Sequence, residues 1–433
     1  MGGSYLELAE AGWRWVLDQV RWDEDGPWIP ESVPGAFNPE YRDGMHSGIG
    51  SLALVLADVR LSRDWTGEEQ RLADTIVERL HAVTPHETEY GYFDGLVSTI
   101  GVLTALGEQP DAAVQRLRTL ATPDGWPQTF LQPPRFLPNA RVNDLVLGTA
   151  GVLLGALWAR RAGAKDAGEL AAHAAAVLLA EGETTPAGLN WSFVPVRFRT
   201  DGDVQMPNFS HGVAGIAAAL ALAGAELGRP DLTDAARRGA EHLVTLGDAS
   251  AGGFVVPRRI PPAVDLDQVT FTWCHGPAGT SLLFPALERA GVGTIAGEPT
   301  AQWHRRCLHS VRTSGVPKRL HPGFWDNDGR CCGTAGVGEV FLDSWQRNGN
   351  GDDLEFACHL ADTLVDRAMG DGEHAYWRFV EHRAKEPLLP PGVGWMQGTA
   401  GIAAFLFRTA RVVTGDRAVV ARMDNWWALE RPA

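Results

Sequence analysis

The sequence predicts an all-α protein: an α/α toroid of seven inner and seven outer helices. Three observations carry that expectation. A stretch reading Gly/Ser-x-Ala/Ile-Gly and followed by an apolar run occurs seven times, at Ser47–Gly50, Ser98–Gly101, Gly148–Gly151, Gly212–Gly215, Gly276–Gly279, Gly333–Gly336 and Gly398–Gly401. Successive blocks begin 51, 50, 64, 64, 57 and 65 positions apart. That period is too long for common solenoid repeats but suits one pair of helices with two connections. An amphipathic stretch precedes each block, so buried and half-exposed helices should alternate.

The amphipathic segments, in order, are Tyr5–Val20, Glu68–Val83, Asp111–Leu120, Ala167–Ala180, Leu232–Leu246, Ala301–Val311 and Asp353–Met369. Each keeps its charges on one face, as an outer helix does. Gly212–Leu227 and Gly398–Thr414 are apolar nearly all round and predict helices buried on most sides. Gly, Pro and Asp cluster at the junctions, as in ELGRPD from Glu226 and QRNGNGDD from Gln346, where helices stop and restart. A flat solenoid needs polar caps at both ends, and neither terminal unit reads as one, so the pattern closes as a ring. Asp416–Trp427 is expected to add a closing helix.

At 433 residues the length alone suggests two or three domains, but a repeat running end to end predicts a single domain over 1–433. The longest apolar runs, such as Val213–Ala225, are too short and too rich in Ala and Gly to read as membrane spans. The start, Met1 to Glu10, lacks a basic flank before an apolar core, which argues against a signal peptide and for a cytoplasmic location. A net charge of −15 disfavours nucleic acid and anionic membrane surfaces as partners. Five cysteines, three of them near one motif, point to metal binding or thiol chemistry rather than a secreted disulfide framework.

Within each unit the connection before the buried helix is the long one, as in Pro27–Met45, Thr185–Ser210 and Arg319–Cys332. These loops should emerge on one face, where a rigid scaffold most often carries function. Counting from the first residue of each block, the position before it holds His46, Val97, Leu147, His211, His275, Cys332 and Gln397. Two before it stand Met45, Leu96, Val146, Ser210, Cys274, Cys331 and Met396. Four before it stand Asp43, Asp94, Asp144, Asn208, Thr272, Gly329 and Gly394.

Cys274 and Cys331 thus occupy equivalent places on neighbouring inner helices, with Cys332 beside the second. Three converging thiolates suit one Zn²⁺, and only three strong ligands leave a coordination position open. Helix N-termini behind them would favour thiolate over thiol. The other reading is a set of buried small thiols or a vicinal disulfide between Cys331 and Cys332. Cys307 and Cys358 fall in outer helices and read as packing residues. His211 is a fourth ligand, a general acid or base, or a hydrogen-bonded rim histidine. His275 has the same options and could also orient Cys274. Asp144 either holds a histidine in one tautomer or caps a helix, a role its register mates Asp43 and Asp94 would share.

On Ser210–Gly212 (SHG), Trp273–Gly276 (WCHG), Cys331–Gly336 (CCGTAG) and the sevenfold small-residue blocks, nearly the whole chain resembles the lanthionine synthetase C-like family, the lanthipeptide cyclases. The resemblance implies one zinc held by Cys274, Cys331 and Cys332, with His211 as acid and base and Asp144 supporting it. Two departures stand out. The usual third ligand of the family is a histidine, where this chain has Cys332. Many members carry an arginine four residues before the first zinc cysteine, where this chain has Thr270, leaving Arg330 or His275 to take its part.

The implied reaction is a Michael-type addition of peptide cysteine thiols to dehydroalanine or dehydrobutyrine, giving lanthionine and methyllanthionine. It is a carbon–sulfur bond-forming step of the lyase class. The implied partners are a dehydrated precursor peptide and a separate dehydratase, since the chain has no room for a kinase or dehydratase domain. The alternatives are zinc-dependent addition of glutathione or another small thiol to dehydroamino acids, an α/α-barrel carbohydrate-active enzyme using Asp43, Asp94 and Asp144, and a non-catalytic zinc-stabilised scaffold.

Overall fold

Alternation of amphipathic and wholly apolar segments becomes alternation of half-exposed and buried helices in the computed structural model. It describes every residue except 1, 36–37, 201, 203, 265–266, 319–326, 381–384 and 431–433, so the first part of the loop expected at 319–332 lies outside the described residues. The helices run α1 (Gly2–Leu17), α2 (Ser51–Ser62), α3 (Gly67–Val83), α4 (Leu96–Ala105), α5 (Asp111–Leu120), α6 (Thr149–Arg161), α7 (Ala167–Ala180) and α8 (Val213–Leu227). They continue as α9 (Pro230–Leu246), α10 (Pro277–Thr280), α11 (Leu283–Arg289), α12 (Thr300–Thr313), α13 (Thr334–Asn348), α14 (Gly351–Arg367), α15 (Thr399–Val413) and α16 (Trp426–Leu429). Strands among the described residues occur only as short two-stranded pairs. No described helix is long and apolar enough to cross a membrane.

The chain divides into two compact units. One comprises Met1–Glu87, Phe93–Ala112 and Gly315–Leu429; the other comprises Thr88–Tyr92, Ala113–Ser314 and Glu430–Ala433. In the first, α15 packs on α1, α2 and α13, while α14 packs on α13 and α15. In the second, α8 is the central helix, packed on α6, α7, α9 and α11. Residues Val213–Gly224 of α8 are all buried, which its near-uniform apolar sequence requires.

Two expectations need correcting. The fifth inner helix is broken into α10 and α11 rather than continuous. Pro285 lacks the N–H that would bond to the Ser281 carbonyl four residues back, and its ring crowds that carbonyl. The Ser281 oxygen instead takes a three-residue bond from the Phe284 amide at 3.3 Å and meets His304 Nδ1 of α12 at 3.1 Å. The closing helix predicted over Asp416–Trp427 is confined to Trp426–Leu429. Residues 416–425 are drawn out of helix where Arg422, Asp424 and Asn425 enter a buried network of ion pairs and hydrogen bonds with Arg330, Glu339 and Asp343.

Tryptophan is the device that starts several of the long loops. The indole N–H of Trp126 bonds to the Leu117 carbonyl of α5, Trp191 to Leu178 of α7, and Trp377 to Leu364 of α14, at 2.7–2.9 Å. Each satisfies a carbonyl near a helix end, where intrahelical partners run out, and turns the chain back along its own helix. All three rings are buried, so the aromatics in these loops anchor as well as fill.

Candidate active site

The turns that enter the inner helices share one construction, and glycine is its cause. The amide of the residue after the turn glycine bonds to the carbonyl seven residues earlier: Ile49 to Arg42, Thr149 to Val142, Thr334 to Asn327 and Thr399 to Gly392, at 2.7–3.0 Å. The loop backbone is thereby pressed against the glycine. A Cβ on Gly276 would collide with the backbone of Thr270 and Thr272, and one on Gly333 with the Asn327 carbonyl. The second small residue has the same origin, since a Cβ on Gly279 or Gly336 would run into the carbonyl of Trp273 or Arg330. The glycine blocks therefore fold the two or three preceding residues into a tight turn over the helix N-terminus.

This construction corrects the register of the first two blocks. The turn glycines there are Gly48 and Gly95, not Ser47 and Ser98. The residue before the turn glycine is then Ser47, Asp94, Leu147, His211, His275, Cys332 and Gln397, in order along the chain. The residue before that is His46, Phe93, Val146, Ser210, Cys274, Cys331 and Met396. Asp43 and Asp94 do not share the position of Asp144. Asp43 pairs with Arg79 at 2.5 Å. Asp94 has a buried Oδ1 without a hydrogen-bond partner, and burial, reinforced by the charge of Glu31, pushes its carboxyl up to about 7.

Backbone hydrogen bonds link successive turns within each unit. In one unit Arg330 and Cys331 donate to the Met396 carbonyl, Met396 donates to His46, and Met45 donates to Phe93. In the other, Tyr92 donates to Val146, Leu145 and Val146 to Ser210, and Ser210 to Cys274. The Ser210 hydroxyl adds a second bond to the Cys274 carbonyl at 2.7 Å. The residues singled out in the sequence thus hang from ladders of main-chain bonds, a rigid mounting for side chains.

Asp144 does both things considered for it. Its Oδ1 accepts the Leu147 amide at 2.7 Å, a capping bond within its own turn. Its Oδ2 lies 2.6 Å from Nδ1 of His211. A carboxylate only accepts, so Nδ1 carries the proton and Nε2 of the neutral ring is left with its lone pair. Asp144 is fully buried while His211 keeps 22% of its side chain exposed, so the imidazole is fixed from behind and accessible in front. His275 lies beside it with ring centroids 5.3 Å apart. Phe193, absent from the sequence reading, meets the His211 ring edge-on at 6.0 Å. A phenylalanine in a long loop carries no motif, and nothing in the sequence singled it out.

Cys274 stands in the turn before α10 and Cys331–Cys332 in the turn before α13, where the two adjacent sulfurs lie 3.3 Å apart. Cys274 and Cys332 are buried and Cys331 is partly exposed. The Thr272 hydroxyl stands 3.6 Å from the Cys274 sulfur, a neighbour that two-residue spacing within the turn could have suggested. Thr270 is buried, with a hydroxyl that has no hydrogen-bond partner. Arg330, the residue before Cys331, is already engaged elsewhere. Its guanidinium lies 2.7 Å from Asp424 and 4.2 Å from the centre of the Trp395 ring, held in the buried ion network.

Comparison with known proteins adds a family and a fold. Residues 39–414 match the model of the family described as lanthionine synthetase C-like protein. Nisin cyclase is similar in structure, with a TM-score of 0.60 and 13% identity over 90% of this chain and 93% of that one. A Listeria innocua protein gives a TM-score of 0.51 at 12% identity, covering 96% of this chain and 99% of its own. Cellobiose 2-epimerase from Spirochaeta thermophila gives 0.50 at 14% identity, covering 95% of this chain and 96% of its own. These likenesses establish the α/α-toroid fold. No curated protein sequence gives a significant match.

Proposed function

Because this chain belongs to the lanthionine synthetase C-like family, we propose that it is a zinc-dependent cyclase adding peptide cysteine thiols to dehydroalanine or dehydrobutyrine, with a dehydrated precursor peptide as substrate. The observation that carries the reading is a set of three thiols that could hold a metal ion, Cys274 of the WCHG turn and the Cys331–Cys332 pair of the CCG turn. Cys274, Cys331 and Cys332 are the residues that would hold the zinc, all three being soft thiol donors of the kind zinc accepts. Three protein ligands leave a fourth position for the substrate sulfur. The metal would supply Lewis acidity, lowering the pKa of a substrate thiol from about 8.5.

The chain's own residues supply the rest. Sulfur adds to the β-carbon of the dehydroamino acid, and the α-carbon then needs a proton. His211 is the group to carry it: Asp144 fixes its tautomer, Nε2 is free to take the thiol proton, and the resulting imidazolium is stabilised by the buried carboxylate. His275, beside that ring, helps set its position. Cys332 in place of a neutral histidine would add one negative charge to the set of donors.

A carbohydrate-active reading would need a pair of carboxylates, and of the three considered only Asp94 is unpartnered. Asp43 is tied to Arg79, and Asp144 is committed to the Leu147 amide and His211. Addition of glutathione to dehydroamino acids would use the same groups, and the test below distinguishes it. Zinc-loaded protein is incubated with a dehydrated, cysteine-containing peptide, which is then alkylated and weighed. Cyclisation leaves the unalkylated mass unchanged and removes an alkylatable thiol; glutathione addition raises the mass. The protein should carry about one zinc, lost in Cys274→Ala. Metal-free wild type, or a peptide thiol that persists across several dehydrated substrates, would overturn the proposal.

A further inference from the structure

The third cysteine has a consequence beyond ligation. Cys331 Sγ and Cys332 Sγ lie 3.3 Å apart, one partly exposed and the other 2% exposed. Their turn is pinned on both sides: Arg330 and Cys331 donate to the Met396 carbonyl at 2.9 and 2.8 Å, and Thr334 donates to the Asn327 carbonyl at 2.9 Å. The two sulfurs are therefore held together by the fold and do not meet by chance. The thiols outside the cluster are poor competitors. Burial pushes the Cys307 thiol far up, and burial followed by the charge of Asp362 raises that of Cys358, which keeps both protonated and unreactive.

We propose that Cys331 and Cys332 form a reversible oxidation site at which a hydroperoxide closes a vicinal disulfide and dismantles the metal-binding group. The metal part of this inference rests on the zinc reading above. Cys331, the exposed member, attacks the peroxide: its S–O bond forms, the O–O bond breaks, and water leaves when the oxidant is hydrogen peroxide. Cys332 then attacks the Cys331 sulfur: the S–S bond forms, the S–O bond breaks, and a second water leaves. Two thiols lose two electrons and two protons in all, and the peroxide is reduced to two waters. Cys274 alone would remain as a thiolate donor, and one thiolate does not retain zinc. A site with histidine at position 332 has no neighbouring thiol to complete the second step. The switch thus belongs to the cysteine that sets this chain apart, and it would stop thiol addition under oxidising conditions until a dithiol restores the pair.

The test uses the full chain, with its zinc content measured first. Metal-free protein given a small excess of hydrogen peroxide should lose about 2 Da, with the link mapped within the Cys331–Cys332 peptide and reversed by dithiothreitol. Zinc-loaded protein should release about one zinc per disulfide to a chromogenic chelator. Cys332→Ser should instead accumulate sulfenic acid at Cys331, trapped by dimedone as a mass gain. A disulfide that includes Cys274, a 2 Da loss that persists in Cys332→Ser, or oxidation straight to sulfinic acid would overturn the proposal. Protein that never binds zinc would defeat the cyclase reading, while the metal-free arm would still decide the disulfide.

Discussion

His211 Nδ1 lies 2.6 Å from Oδ2 of Asp144, across 67 positions of sequence, and the carboxylate is fully buried. A buried charge-assisted bond of this kind fixes both the ring orientation and the tautomer. Asp144→Asn keeps the shape but offers an amide that can donate to Nδ1 and invert the tautomer. Ring closure should slow by about 10²- to 10⁴-fold, the usual worth of a positioned acid or base. Zinc content should stay at its wild-type level. Alkylation-and-mass kinetics beside metal analysis checks both; equal loss of rate and zinc would make Asp144 a structural residue.

His211→Ala tests the proton donor itself. The variant should keep zinc, since the three thiols do not depend on the imidazole, while ring closure slows or the stereochemistry of α-carbon protonation becomes mixed. Chiral analysis of the lanthionine released by hydrolysis reads the second effect. Zinc lost in this variant would make His211 a ligand instead.

Arg330 and Asp424 are buried at 2.7 Å, and the arginine immediately precedes Cys331. Burial alone would raise the Asp424 carboxyl, but Arg330 and Arg422 outweigh it and hold the group below its ordinary range. Asp424→Ala leaves two buried guanidinium groups short of a counter-charge and should cost about 3–5 kcal/mol in denaturant unfolding. Zinc affinity should fall with it, because Arg330 and Cys331 share the Met396 carbonyl. Asp231→Ala, which breaks an exposed pair with Arg229, should change neither quantity measurably.

The outer helices were legible because their periodicity is a direct image of one wet and one dry face. Asp111–Leu120 and Ala167–Ala180 match residue for residue, and the cysteine, SHG and Asp144 positions fell in register. The first two blocks did not. Ser47, Gly48 and Gly50 are all small, and the choice among them is made by which one the Arg42 carbonyl approaches, a contact that composition does not encode. The break after α10 was marked by Pro285, but its compensation by His304 comes from another helix. Residues 416–425 carry helix-forming side chains, yet Arg422 and Asp424 are worth more in a buried network than in a turn of helix. Tertiary partners decided each of these places.

Asp94 stands where His211 stands in its own turn, its Oδ1 is buried without a hydrogen-bond partner, and burial followed by Glu31 lifts its carboxyl to about 7. The folded protein therefore holds a proton there that the unfolded chain releases near pH 4. Folding takes up that proton at intermediate pH, so this group makes stability decline as pH rises from about 4 to about 7, with no further loss above. Asp94→Asn has nearly the same shape and no proton to lose. Its melting temperature should match that of wild type near pH 4, exceed it progressively towards pH 7, and keep a constant advantage at pH 8. Thermal unfolding of both proteins across that range reads the difference directly. Parallel profiles would mean that Asp94 ionises in the folded state as an ordinary carboxylate does.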